Sequence, residues 1–90
     1  MKVAVNGNII DRDLLSYPVC HLTEFARDPD TEYLSLQVDD GSKTDDLLNN
    51  YASNGDVFSI EFEGASHRVR CKNKSVPHQS GHFYGLYQSE

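Results

Sequence analysis

Arg68, Arg70 and Lys72 alternate along the chain, with Lys74 just beyond. On a β-strand this spacing sends all their cationic groups out of one face. Such a row suits phosphate groups, and Tyr84, with Tyr87 and His82 nearby, offers rings on which bases stack. The competing reading is a solvated strand face, neutralised across a hairpin by Glu61 and Glu63. A net charge of −6 sets the whole chain against duplexes. Nucleic-acid binding through Arg68, Arg70, Lys72, Lys74 and Tyr84 is therefore the alternative function and not the leading one.

Carboxylates form the second group. Asp39, Asp40, Asp45 and Asp46 crowd a turn and the helix start that follows it, with Asp28, Asp30 and Asp56 elsewhere on turns. Aspartate favours turns and caps for local hydrogen-bonding reasons. Those roles account for most of these residues and leave a regional excess. An array of carboxylates on a stiff domain can imitate a phosphate backbone or steer a basic protein surface into contact. Asp39, Asp40, Asp45 and Asp46 are the expected partner-binding residues.

Metal and catalytic chemistry find less support. Cys71, His78 and His82 are spaced Cys-x6-His-x3-His, and Cys20-His21 would complete a tetrahedral zinc set. There is no Cys-x2-Cys knuckle, however, and the alternation around Cys71 turns its thiol toward the core. A buried thiol with surface histidines is the plainer reading, so no metal or cofactor is expected. Cys20 and His21 are neighbours in sequence and diverge on either a strand or a helix, whereas a nucleophile and its base need hydrogen-bond reach. No phosphate-binding glycine loop, nucleophile elbow, zinc-protease helix or dinucleotide fingerprint is present. An enzyme is not expected.

The elements that must position these residues follow from periodicity and turn chemistry. Lys2–Val5 and Asn8–Asp11 flank Asn6-Gly7, the strongest short hairpin signal. Asp11–Tyr17 reads as one or two helical turns with Asp11 as cap, ended by Pro18, and Leu22–Arg27 as another short helix. In Glu32–Val38, Leu34, Leu36 and Val38 alternate with Tyr33, Ser35 and Gln37, the mark of a half-buried strand. Ser42 caps a helix from about Lys43 to Ser53. Asp45 reaches back in a shortened capping box, Leu47, Leu48, Tyr51 and Ala52 share one face, and Asn54-Gly55 stops the helix. Asp56–Glu63 is a strand with Phe58, Ile60 and Phe62 inward. Gly64-Ala65-Ser66 turns the chain into His67–Lys72, with Val69 and Cys71 inward, and after a loop from Asn73 to Gly81 the segment His82–Tyr87 is the last strand.

These elements predict an α+β fold: a small antiparallel sheet of four to five strands with the 43–53 helix packed on one face, forming a single domain over residues 1–90. The two cysteines do not make a disulfide framework. No segment approaches the roughly 20 apolar residues that span a bilayer. No membrane contact is expected, and the chain is placed in the cytoplasm, of the host if the gene is viral.

Charge is divided along the chain. Residues 1–63 hold thirteen acidic against four basic residues, while residues 64–90 hold four basic against one acidic. The expected function is that of a small acidic non-enzymatic binding protein, of a size and type that suit a phage or mobile element. It would act as inhibitor, adaptor or regulator on a larger protein or complex. A final strand ending at Tyr87 is expected at the sheet edge, where it could pair with a second copy.

Overall fold

Asn6 and Gly7 hold positive φ angles of 48° and 83°, the geometry of a tight hairpin turn whose twist matches its strands. They join β1 (Val3–Val5) to β2 (Asn8–Ile9), with Val5 opposite Asn8. Asn6 also fastens the hairpin to the rest of the chain. Its Oδ1 accepts from Ser59 N at 2.9 Å, and its Nδ2 donates to Tyr51 Oη at 2.7 Å.

The computed structural model describes residues 2–15, 19–20, 32–62, 64–74 and 81–89. The expected Leu22–Arg27 helix lies outside them.

After the hairpin, Asp11–Asp13 forms a single 3₁₀ turn. Asp11 is not its cap: Ile10 holds that position, and the Asp11 carboxylate instead accepts from Val3 N at 2.6 Å. Leu14 then bridges Val38, and β3 (Val19–Cys20) runs beside β4 (Glu32–Asp39). The helix α1 (Lys43–Asn54) follows, closed by Gly55 in the left-handed conformation. Next come β5 (Phe58–Phe62), β6 (Ala65–Lys74) and β7 (Gly81–Gln88). Phe62 pairs with Ala65, so Ala65 and Ser66 belong to the strand and not to the turn.

All neighbouring strands pair antiparallel, in the order β2-β1-β5-β6-β7-β4-β3. Among the described residues the sheet thus has seven strands where four to five were expected. β3, which adds itself to β4, is only two residues long, too short for a period-2 pattern to register, and β2, the second arm of the expected hairpin, is equally short. The expected edge position of the last strand is also overturned. β7 is interior, flanked by β6 and β4, and the edges belong to β2 and β3.

Strand β6 organises the sheet. Its first half, Ala65 to Val69, pairs with β5, and its second half, Val69 to Lys74, pairs with β7. α1 connects β4 to β5, two strands separated by β7 and β6, and therefore crosses the sheet. Its buried Leu48 and partly buried Leu47, Tyr51 and Ala52 meet Leu36, Val38, Phe58, Ile60, Val69, Cys71, Tyr84 and Leu86 in one core. Tyr51 stacks on Phe58 with ring centroids 4.5 Å apart. Strand β4 departs from its half-buried pattern, because Ser35 and Gln37 are buried as well as Leu34, Leu36 and Val38.

Candidate functional site

The end of β4, the turn after it and the first turn of α1 carry four aspartates: Asp39, Asp40, Asp45 and Asp46. Ser42 is the cap that the sequence predicts, its Oγ accepting from Asp45 N at 3.1 Å. The reciprocal half differs from the expected capping box. Asp45 is one carbon shorter than glutamate, and its Oδ2 accepts from Gly41 N at 3.0 Å, one residue earlier than the box requires. Ser42 N donates to Asp39 O instead.

Asp45 does not display its charge. Its side chain is 7% exposed and accepts three further contacts from β7. Tyr84 Oη donates to Oδ1 at 2.7 Å, and His82 Nδ1 lies 2.8 and 2.9 Å from Oδ1 and Oδ2. Burial works to raise the Asp45 pKa, but the hydrogen bonds from Tyr84, Gly41 and His82 together outweigh it and hold the carboxyl below its ordinary value. The same contact, helped by the charges of Asp45 and Asp40 against a smaller opposing effect of burial, raises the pKa of His82. Asp45 is therefore removed from the expected partner-binding set and becomes the fixing point of the turn. Asp39, Asp40 and Asp46 remain exposed around it. His82 Nδ1 also comes within 3.6 Å of Asp40 Oδ1, and the Thr44 hydroxyl hydrogen-bonds the Asp13 carboxylate, drawing the 3₁₀ turn onto the same end.

The basic row is on the opposite face of the sheet from α1. Arg68, Arg70 and Lys72 are all exposed, while Val69 and Cys71 between them are buried. Lys74 ends the strand, and its side chain lies outside what is described. Tyr84 does not join the row. It is fully buried on the helix side, because it alternates in phase with Leu86 and its hydroxyl is bonded to Asp45. The ring that does lie on the outward face is Tyr87, opposite Arg70 and with Lys72 Nζ 4.7 Å from its centroid. Across the hairpin the register gives the row no directly opposed carboxylate among the described residues, with Glu61 on the diagonal from Arg68. Glu61 stands opposite Ser66, and Arg68 opposite Ser59, while Glu63 lies outside the described residues.

The zinc set is not assembled by what is described. The Cys71 thiol is buried, donates to Leu48 O at 3.3 Å and has its pKa pushed up to about 12 by burial, which opposes the thiolate that zinc needs. His78 and His21 lie outside the described residues. Asp40, Asp45 and His82 each offer a ligand atom within 4.8 Å of the others. Both Asp45 oxygens already accept hydrogen bonds there, so the His82 N–H occupies the place a cation would take.

An open depression of about 690 Å³ lies over the first hairpin and β5. Among the described residues its lining includes Lys2, Ala4, Ile9 and Glu61 but no histidine, no cysteine and no second carboxylate.

The Asp45–His82–Tyr84 cluster is the part that sequence reasoning missed. Residues 37 and 39 positions apart meet only because Val38 pairs with His82 and Leu36 with Tyr84. One signal was nonetheless available. His82, Tyr84 and Leu86 alternate, so an inward Leu86 carries the other two to the helix side.

Among the described residues no helix is long and apolar enough to cross a membrane. Comparison with known proteins finds no matching family model, no similar curated protein and no similar solved structure.

Proposed function

We propose that this protein is a binding module without a reaction of its own, docking its acidic end on a basic surface of a larger protein as an inhibitor, adaptor or regulator. One observation carries the reading. Asp45 is locked by Gly41, His82 and Tyr84, so the turn that bears Asp39 and Asp40 and the helix start that bears Asp46 are held in one geometry while their carboxylates face solvent. Among the described residues Asp40 meets only an imidazole, and Asp39 and Asp46 form no ion pair. Uncompensated like charges on a preorganised platform raise association rates toward a basic partner and reduce the ordering cost of binding.

The Asp45–His82 pair resembles half of a catalytic relay in its hydrogen bonding, with Nε2 left to act as a base. The Tyr84 hydroxyl beside it is buried and committed to Asp45, and its pKa is raised by that burial first and by Asp45 second. Tyr84 is therefore not an activated nucleophile for this histidine.

The test is affinity capture from the native cell extract with wild type and an Asp39→Lys, Asp40→Lys, Asp46→Lys variant in parallel. A protein retained by wild type, released by salt and not retained by the variant is the expected result. Equal retention by both would remove the acidic end from the interface, and turnover of a small molecule lost in His82→Ala would replace the reading with an enzymatic one.

A further inference from the structure

Docking through the acidic end leaves the outward face of β6 unused. Alternate residues on an antiparallel strand stand about 6.8 Å apart, so Arg68, Arg70 and Lys72 form an evenly spaced row of exposed cations. The register decides what opposes them. Ser59 lies across from Arg68, Tyr87 from Arg70 and Gly85 from Lys72. Among the described residues no carboxylate is directly opposite any of the three, and Glu61 is diagonal to Arg68 alone. A cationic row with no directly opposed carboxylate among the described residues is a surface suited to a polyanion.

Tyr87 narrows the ligand further. It is half-buried on the same face, and the Lys72 ammonium rests 4.7 Å from its ring centroid. A cation over the ring shows that the ring face opens toward the row. A base stacking there would displace Lys72, whose flexible side chain then reaches a phosphate. Stacking of this kind requires an unpaired base, and the acidic body of the molecule disfavours the charge density of a duplex.

We propose that the outward face of β6 and β7 binds single-stranded nucleic acid, with Arg68, Arg70 and Lys72 on the phosphates and Tyr87 under a base. The site is independent of the acidic end, so either can fail without the other.

The test is fluorescence anisotropy of a labelled oligothymidylate titrated with the full chain, at salt from about 20 to 200 mM. Three phosphate contacts predict a log–log salt slope of about −2, at about 0.7 for each single-strand phosphate neutralised. Arg68→Gln with Arg70→Gln should weaken binding at least about tenfold at low salt and reduce the slope to about −0.7. Tyr87→Leu should weaken it by about tenfold with the slope unchanged. Circular dichroism checks that each variant folds, and backbone amide shifts in wild type alone should move along β6 and β7 when oligonucleotide is added.

No binding at the lowest salt overturns the proposal, as does an arginine variant that binds with the wild-type slope, or a preference for duplex. Sedimentation showing self-association that the arginine variant loses, without oligonucleotide binding, would assign the face to a second copy of this chain.

Discussion

The first turn of α1 and the outward side of β6 both present a cluster of like charges, but they are built on different principles. At α1 a buried carboxylate, Asp45, is bound by Gly41, Tyr84 and His82, and the exposed acids take their places from that network. On β6 the exposed cations take theirs from strand alternation, held by Val69 and Cys71 packed beneath α1. A surface positioned by hydrogen bonds to a charged group should respond to pH and to single polar substitutions. One positioned by apolar packing should respond to cavities and ignore changes in its own displayed charges.

The largest effect should come from the packing that both regions share. Leu48→Ala empties a fully buried site between α1 and the sheet and should cost about 2–5 kcal/mol. For a domain of this size with a total of about 5 kcal/mol that approaches unfolding, to be read from urea denaturation midpoints. Asp45→Ala comes next. It removes hydrogen bonds to a carboxylate and leaves the buried Tyr84 hydroxyl with only Asp45 O as a partner, which should cost about 2–3 kcal/mol. Ser42→Ala, which deletes the cap acceptor for Asp45 N, should cost about 1 kcal/mol. Arg70→Gln should stay within about 0.5 kcal/mol, since an exposed charge on a strand held by its inward neighbours contributes little to stability. A loss at Arg70 comparable to that at Asp45 would erase the contrast between the two regions.

The pH dependence sharpens the same contrast. His82 has a raised pKa in the folded state, so its contribution is complete below the ordinary histidine value near 6.5 and is lost as pH rises through the raised value. Asp45 has a lowered one, so its contribution is present above the ordinary carboxylate value and is lost as pH falls through the lowered value. Thermal midpoints should therefore be highest between the ordinary carboxylate and histidine ranges and should decline on both sides. His82→Gln should flatten the alkaline decline. Arg68→Gln should leave the profile unchanged.

Local signals made the helix and most strands legible. Asn6-Gly7 marked the first hairpin, Ser42 and Gly55 bounded α1, and the alternation of Phe58, Ile60 and Phe62 identified β5 and its inward face. The α+β class with one helix on an antiparallel sheet followed from these. The strand count did not, because β3 is held by pairing with β4 and not by a pattern of its own. The interior position of β7 was not readable either, since strand order depends on long-range register.

The same distinction separates the site residues. Exposure of Arg68, Arg70 and Lys72 is a property of one strand and could be read from its alternation. Burial of Asp45 and Tyr84 is a property of a contact between two elements, and aspartate in a first helical turn is ordinarily a solvated residue. That residue type concealed the one carboxylate around which the others are arranged.

The most direct test of that arrangement is an NMR titration of the His82 imidazole in wild type and in Asp45→Asn. The Asp45 contact predicts a His82 pKa above the ordinary value near 6.5 in wild type, returning toward it when the carboxylate becomes an amide. Indistinguishable titrations in the two proteins would mean that Asp45 does not hold His82, and the fixed acidic end would have no foundation.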